Sequence, residues 1–128
     1  MAFGPALDRL VAQYLSAYAR HDAAACAALF TENARLDHPY GTPGLGRPGI
    51  ARLHDEWFAE EERNKKMWVV EAEAAGPLGH ALLGWSAEVG PPNAQPPEFL
   101  SGVSLCLLRA EGTGWLIHRL ALVPAPGS

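Results

Sequence analysis

The residues best placed to move a proton fall in one short stretch, Asp37-His38-Pro39, ahead of the Gly- and Pro-rich run Tyr40 to Gly46. Pro39 has no N–H to give a sheet ladder, so Leu36 to His38 reads as a strand that ends there. The run after it reads as a tight loop. Imidazole is the side chain that exchanges protons most readily near neutral pH, and the end of a strand before a fixed loop is a suitable place for it. Side chains alternate across a strand, so Asp37 and His38 point to opposite faces and do not pair. His38 then either works on a ligand or bonds a loop carbonyl and closes the mouth of a cavity.

Two phenols form the second candidate group. Leu7, Leu10, Val11, Tyr14, Leu15 and Tyr18 recur at three- and four-residue steps along a helix from Pro5 to Arg20. Tyr14 and Tyr18 lie one turn apart on its buried face, where a hydroxyl needs a partner or can donate to a ligand. His54 belongs to the apolar stripe Ile50, Leu53, His54, Trp57, Phe58 of a helix running from Pro48 to Glu62. It either packs on Trp57 or lines a pocket. The five histidines are scattered without an i,i+4 pair, and Cys26 and Cys106 lack metal-ligand spacing. No metal and no cofactor is expected, and the two cysteines read as buried, reduced thiols.

These side chains need a scaffold. Asp22 can cap a second helix, Ala23 to Phe30. The run Glu60 to Lys66 reads as a solvated helix end, acids before bases. Strands then follow at Met67–Ala75, His80–Val89, Glu98–Ala110 and Trp115–Val123, with a proline-rich loop from Gly90 to Pro97. Helices first and antiparallel strands after predict an α+β fold. Both alternate sets of the long strand are largely apolar (Leu100, Ser104, Cys106, Leu108 and Phe99, Val103, Leu105, Leu107), so both faces of the sheet need cover. In the last strand, alternation leaves either His118 or Arg119 facing inward. His118 is the expectation, because an unpaired guanidinium in an apolar cone is costly.

A chain of 128 residues with 48% hydrophobic and 19% charged residues suits one globular domain spanning 1–128. A net charge of -4 with no Lys/Arg cluster gives no footprint for nucleic acid. The N-terminal residues lack a signal-peptide pattern and no apolar run approaches a membrane span, so a cytoplasmic location is expected.

The segment "ENARLDHPYGTPGLGRPGI" resembles the corresponding part of ketosteroid isomerases and SnoaL-like polyketide cyclases, within the nuclear transport factor 2-like superfamily. The segment "AQYLSAYARHDAAACAALF" resembles their first two helices. The resemblance implies a curved, mostly antiparallel sheet wrapped round the N-terminal helices into a cone open at one end. It matches Tyr14, in Ala12-Gln13-Tyr14, to a tyrosine that donates to a developing oxyanion, and puts His38 where these isomerases keep a proton-shuttling Asp. Ser104 falls where they hold a protonated Asp, so only the tyrosine of three catalytic positions is unchanged. Tyr14 and His38 are therefore the expected catalytic residues, meeting in one pocket lined by Tyr18, His54, Trp57, Trp85, Ser104 and His118. The implied activity is isomerisation, cyclisation or dehydration of a small, mostly apolar carbonyl compound. The alternatives are a binding or dimerisation module of the same fold, or an epoxide hydrolase, whose Asp-Arg-Asp set cannot be assembled here. If loop backbone locks His38 away from the cavity, the binding reading takes over. Helices cover only the concave face, so a homodimer through the convex face is expected.

Overall fold

The computed structural model describes residues 3–91, 93, 96 and 98–126. Three helices precede or interrupt a single six-stranded sheet: α1 (Phe3–Ala19), α2 (Ala23–Ala27), β1 (Phe30–Asp37), β2 (Gly44–Leu45), α3 (Gly46–Ala59), β3 (Arg63–Ala75), β4 (Leu78–Val89), β5 (Glu98–Glu111) and β6 (Gly114–Pro124). The strand order is β2-β1-β6-β5-β4-β3, antiparallel except where β1 runs parallel to β6. This is the α+β arrangement that the order of elements predicts. Of the expected loop Gly90 to Pro97, residues 92, 94, 95 and 97 lie outside the described residues.

Each element forms for a local reason. The apolar steps of α1 bury Leu7, Leu10, Val11, Tyr14, Ala17 and Tyr18 against the sheet. Asp22 caps α2 by accepting from the Ala25 N–H at 3.0 Å. That helix stops at Ala27, shorter than expected, because Phe30 is already the first residue of β1. Pro48 sits in the first turn of α3, where no intrahelical N–H is needed. Gly76 at φ +58° and Gly112 at φ +59° make the two-residue turns that join β3 to β4 and β5 to β6.

The last strand departs from simple alternation. Leu108 pairs with Ile117 but Leu107 pairs with Arg119, so β6 carries one extra residue, His118, as a bulge. The bulge flips the pattern. Ile117, Leu120 and Leu122 all reach the interior, and neither His118 nor Arg119 does. Across the sheet from these, Trp68, Leu105, Leu107 and Val123 remain about half exposed, leaving an apolar outer face.

The C-terminal end of β6 folds over Gly102, with the Ala125 N–H donating to the Ser101 carbonyl at 2.8 Å. A Cβ on Gly102 would lie 2.3 Å from the Val123 carbonyl oxygen and 2.8 Å from Pro124 Cα. Both neighbours are backbone and cannot step aside. Gly102→Ala should destabilise the protein by about 1–3 kcal/mol in urea unfolding; an unchanged midpoint would show that the strands are not held this closely.

Candidate functional site

A funnel runs from the open end of the cone into its core. Its mouth, about 190 Å³, is lined by His38, Tyr40, Glu56, Trp57, Glu60, Glu62, Lys65, Trp85, Leu100 and Leu122. Its depth is narrow, about 20 Å³, roughly the room of one water. Apolar side chains of α1, β1 and the sheet wall it, joined by Tyr14, Ser104 and Lys65. Trp57, Lys65, Trp85 and Leu122 line both parts and form the throat.

Tyr14 is tied to His54, not left free for a ligand. Its hydroxyl lies 2.7 Å from His54 Nε2, and His54 Nδ1 lies 2.8 Å from the Ile50 carbonyl oxygen. A carbonyl only accepts, so Nδ1 carries the proton and Nε2 accepts from the Tyr14 O–H. Both residues are neutral at neutral pH. Burial holds the His54 imidazole down at about 4 and pushes the Tyr14 phenol well above its ordinary value. His54 is fully buried among Tyr14, Tyr18, Phe30, Trp57 and Phe58, and lines neither part of the funnel. The sequence places His54 on the right stripe of α3. Its partner, forty residues away on α1, carries no local signal.

His38 is held by its own loop. The Tyr40 N–H donates to Nδ1 at 3.2 Å, so Nε2 carries the proton and donates to the Thr42 carbonyl at 2.8 Å. Neither nitrogen offers a free lone pair. The ring lines the mouth while Tyr14 lines the depth, with Trp57 between His38 and His54. The expectation that His38 and Tyr14 meet over one ligand atom is therefore corrected: they occupy different parts of the funnel, and each spends its hydrogen bonds within the protein. Asp37 faces away, in a two-pronged ion pair with Arg35 that lowers its carboxyl below the ordinary value.

The remaining expected residues divide. Trp57, Trp85 and Ser104 line the funnel. Tyr18 is a correction: it lines neither part of the funnel but a neighbouring depression with Leu15, Ala19, His21, Arg63, Asn64 and Lys65, the last shared with the throat. His118 is a second correction. The bulge turns it away from the funnel, where its Nδ1–H donates to Thr31 Oγ1 at 2.8 Å and its Nε2 accepts from Arg109 at 3.0 Å. The solvated helix end is a third. Glu62 and Lys65 are buried and paired at 3.4 Å, with Lys65 in the throat. Nothing in a run of acids followed by bases marks which of its members fold inward. Cys26 and Cys106 are free and buried, their thiols pushed up to about 12 by desolvation. Among the described residues, no group of His, Cys, Asp and Glu is arranged to hold a metal ion, and no helix is long and apolar enough to cross a membrane.

The buried imidazole makes stability depend on pH. The unfolded chain takes up a proton on His54 near 6.5, whereas the folded protein resists it to about 4. Stability should therefore fall as pH drops through this window and level off below it. Urea unfolding at pH 7 and pH 4.5 should show a loss of roughly 2–3 kcal/mol from this group. His54→Gln should remove that part of the loss; an unchanged pH dependence in the variant would contradict the assignment.

Comparison with known proteins agrees with this fold. The model of the SnoaL-like domain matches residues 11–112. A ketosteroid isomerase-like protein from Erwinia carotovora atroseptica superposes with a TM-score of 0.80 at 18% identity, covering 95% of this chain and 96% of its own. A nuclear transport factor 2-like protein with a cystatin-like fold from Novosphingobium aromaticivorans gives 0.78 at 17% identity, over 97% and 82%. A provisional scytalone dehydratase from the same organism gives 0.78 at 14%, over 94% and 83%. At these identities the likeness is one of fold. No curated protein matches the chain in sequence. The sequence match and the six-stranded cone together place this chain in the SnoaL-like domain family.

Proposed function

We propose that the cone binds a small, mostly apolar carbonyl compound, and that His38 serves as a clamp on the mouth loop instead of a base. The observation that carries this reading is the funnel itself: an apolar depth that adjoins a wider mouth, where Trp57, Trp85, Leu100 and Leu122 stand among polar side chains, a concave site of the kind that small ligands occupy. The hydrogen bonds of His38 bear on the clamp. To act as a base, its ring would have to give up its bond from Tyr40 and turn, at a cost of about 1 kcal/mol per bond lost.

A second reading, in which the bound compound is isomerised, cyclised or dehydrated by proton transfer, is favoured by the family and by the names of its structural relatives. That reading needs a base other than His38.

The two readings separate by deuterium exchange. Aromatic ketones incubated with the protein in D₂O report proton removal beside the carbonyl even when no further reaction follows. The binding reading predicts exchange at the buffer rate alongside measurable binding. Accelerated exchange that survives His38→Ala would favour an enzyme with another base. Acceleration that His38→Ala reduces by about two to four orders of magnitude would restore His38 as the base and contradict the clamp.

We also propose that the protein is a homodimer through its outer sheet face. The support is the half-exposed row of Trp68, Leu105, Leu107 and Val123, an apolar patch of the kind that another surface covers. Light scattering should give twice 13.7 kDa, and Leu105→Glu with Leu107→Glu should halve it. A monomer mass for the wild type would refute the proposal.

A further inference from the structure

Glu62 and Lys65 are the charged side chains that the fold takes inward, 9% and 7% exposed. The backbone is bent to put them there. Glu61 and Asn64, the residues just before Glu62 and just before Lys65, hold φ at +60° and +53°, two of three non-glycine residues with positive φ among those described. Between Arg63 and Lys66 the ladder to β4 carries a bulge. Strained residues and bulges that re-aim side chains gather at functional sites. Nor does stability alone explain the pair, because buried ion pairs are often no better than apolar residues of the same volume.

The surroundings are those of a polar anchor. The Lys65 ammonium stands 4.7 Å from the ring centre of Trp85 and 4.9 Å from that of Tyr18. Its one hydrogen-bond partner among the described residues is Glu62 Oε1, at 3.4 Å, though an ammonium carries three donors. The Trp85 indole N–H and the Tyr18 hydroxyl are buried without a hydrogen bond, although that hydroxyl lies beside Glu62. Lys65 and Trp85 both stand in the throat, where the mouth meets the depth, so a molecule seated in the mouth lies against them. Of the other donors on the deep wall, Tyr14 donates its O–H to His54 and Ser104 offers only a neutral hydroxyl.

We propose that Lys65 is the residue that receives the ligand's oxygen, and that the ligand arrives uncharged. The ammonium, held by Glu62 and the two rings, donates to a carbonyl oxygen, and the Trp85 N–H serves a second acceptor. The mouth sets the charge requirement. Glu56, Glu60 and Glu62 face one ammonium there, a field that repels an anion but not a neutral ketone. This deepens the reading of the cone as a binding site and rests on it.

Three single-ring probes of similar shape test the proposal by titration of ¹⁵N-labelled full-length protein: acetophenone, cumene, which lacks the oxygen, and benzoate, which carries a charge. The wild type should bind acetophenone roughly tenfold more tightly than cumene, and more tightly than benzoate, with a shift of the Trp85 indole signal. Lys65→Met should bring the ketone and hydrocarbon affinities within about twofold while cumene still binds. If that variant is unstable, because it leaves Glu62 buried alone, Glu62→Gln with Lys65→Met removes both charges and should show the same loss. An unchanged preference in either folded variant, or benzoate as the tightest probe, overturns the anchor. Cumene binding without a ketone preference in the wild type leaves the cone as a site and removes Lys65 from it. No binding of any probe overturns both.

Discussion

The hydrogen-bond chain from Tyr14 through His54 to the Ile50 carbonyl fixes much else in this cone. It joins α1 to α3 inside a ring of aromatics, where the low dielectric strengthens a satisfied bond and penalises a broken one. Burial makes the chain both obligatory and neutral: a charged imidazole or a phenolate there would be a buried ion without a counterpart. The same bond that orders the core withdraws the Tyr14 proton from the funnel. Structure and function therefore compete for one hydroxyl, and in the protein as it stands structure holds it.

That competition shifts the polar work toward the throat. An apolar depth beside a polar mouth needs few groups to hold a ligand's oxygen, but those must be fixed and unspent. His38 is fixed but spent on the loop from Tyr40 to Thr42. Lys65 is fixed by Glu62 and by two ring faces, and retains donors. Fold membership does not decide between binding and turnover, because the same cone serves unlike chemistries. The distribution of free donors and lone pairs does bear on it.

Much of the architecture was legible in the sequence because it follows from period and punctuation. The three- and four-residue steps of α1 put Tyr14 inward, and the short gaps between the expected strands hold the hairpin turns at Gly76 and Gly112. The resemblance supplied the cone. What stayed hidden depended on register or on distant partners. One extra residue at His118 reverses the alternation of β6, and no residue type there announces a bulge. Glu62 and Lys65 look like any exposed i,i+3 pair until the left-handed turns at Glu61 and Asn64 fold them inward. His38 was expected as the last residue of a strand and stands one residue past the end of β1. Its role turned on two backbone groups of the following loop, which a sequence does not aim.

The most direct measurement is the tautomeric state of the two imidazoles, read from long-range ¹H–¹⁵N correlations in the ligand-free protein at neutral pH. The hydrogen bonds described here require opposite and fixed tautomers, Nδ1–H for His54 and Nε2–H for His38. Observing both would confirm that the Tyr14 proton is committed to His54 and that His38 has no free lone pair. A His38 ring averaging between tautomers, or His54 protonated on Nε2, would contradict the account and return both residues to the list of free proton carriers.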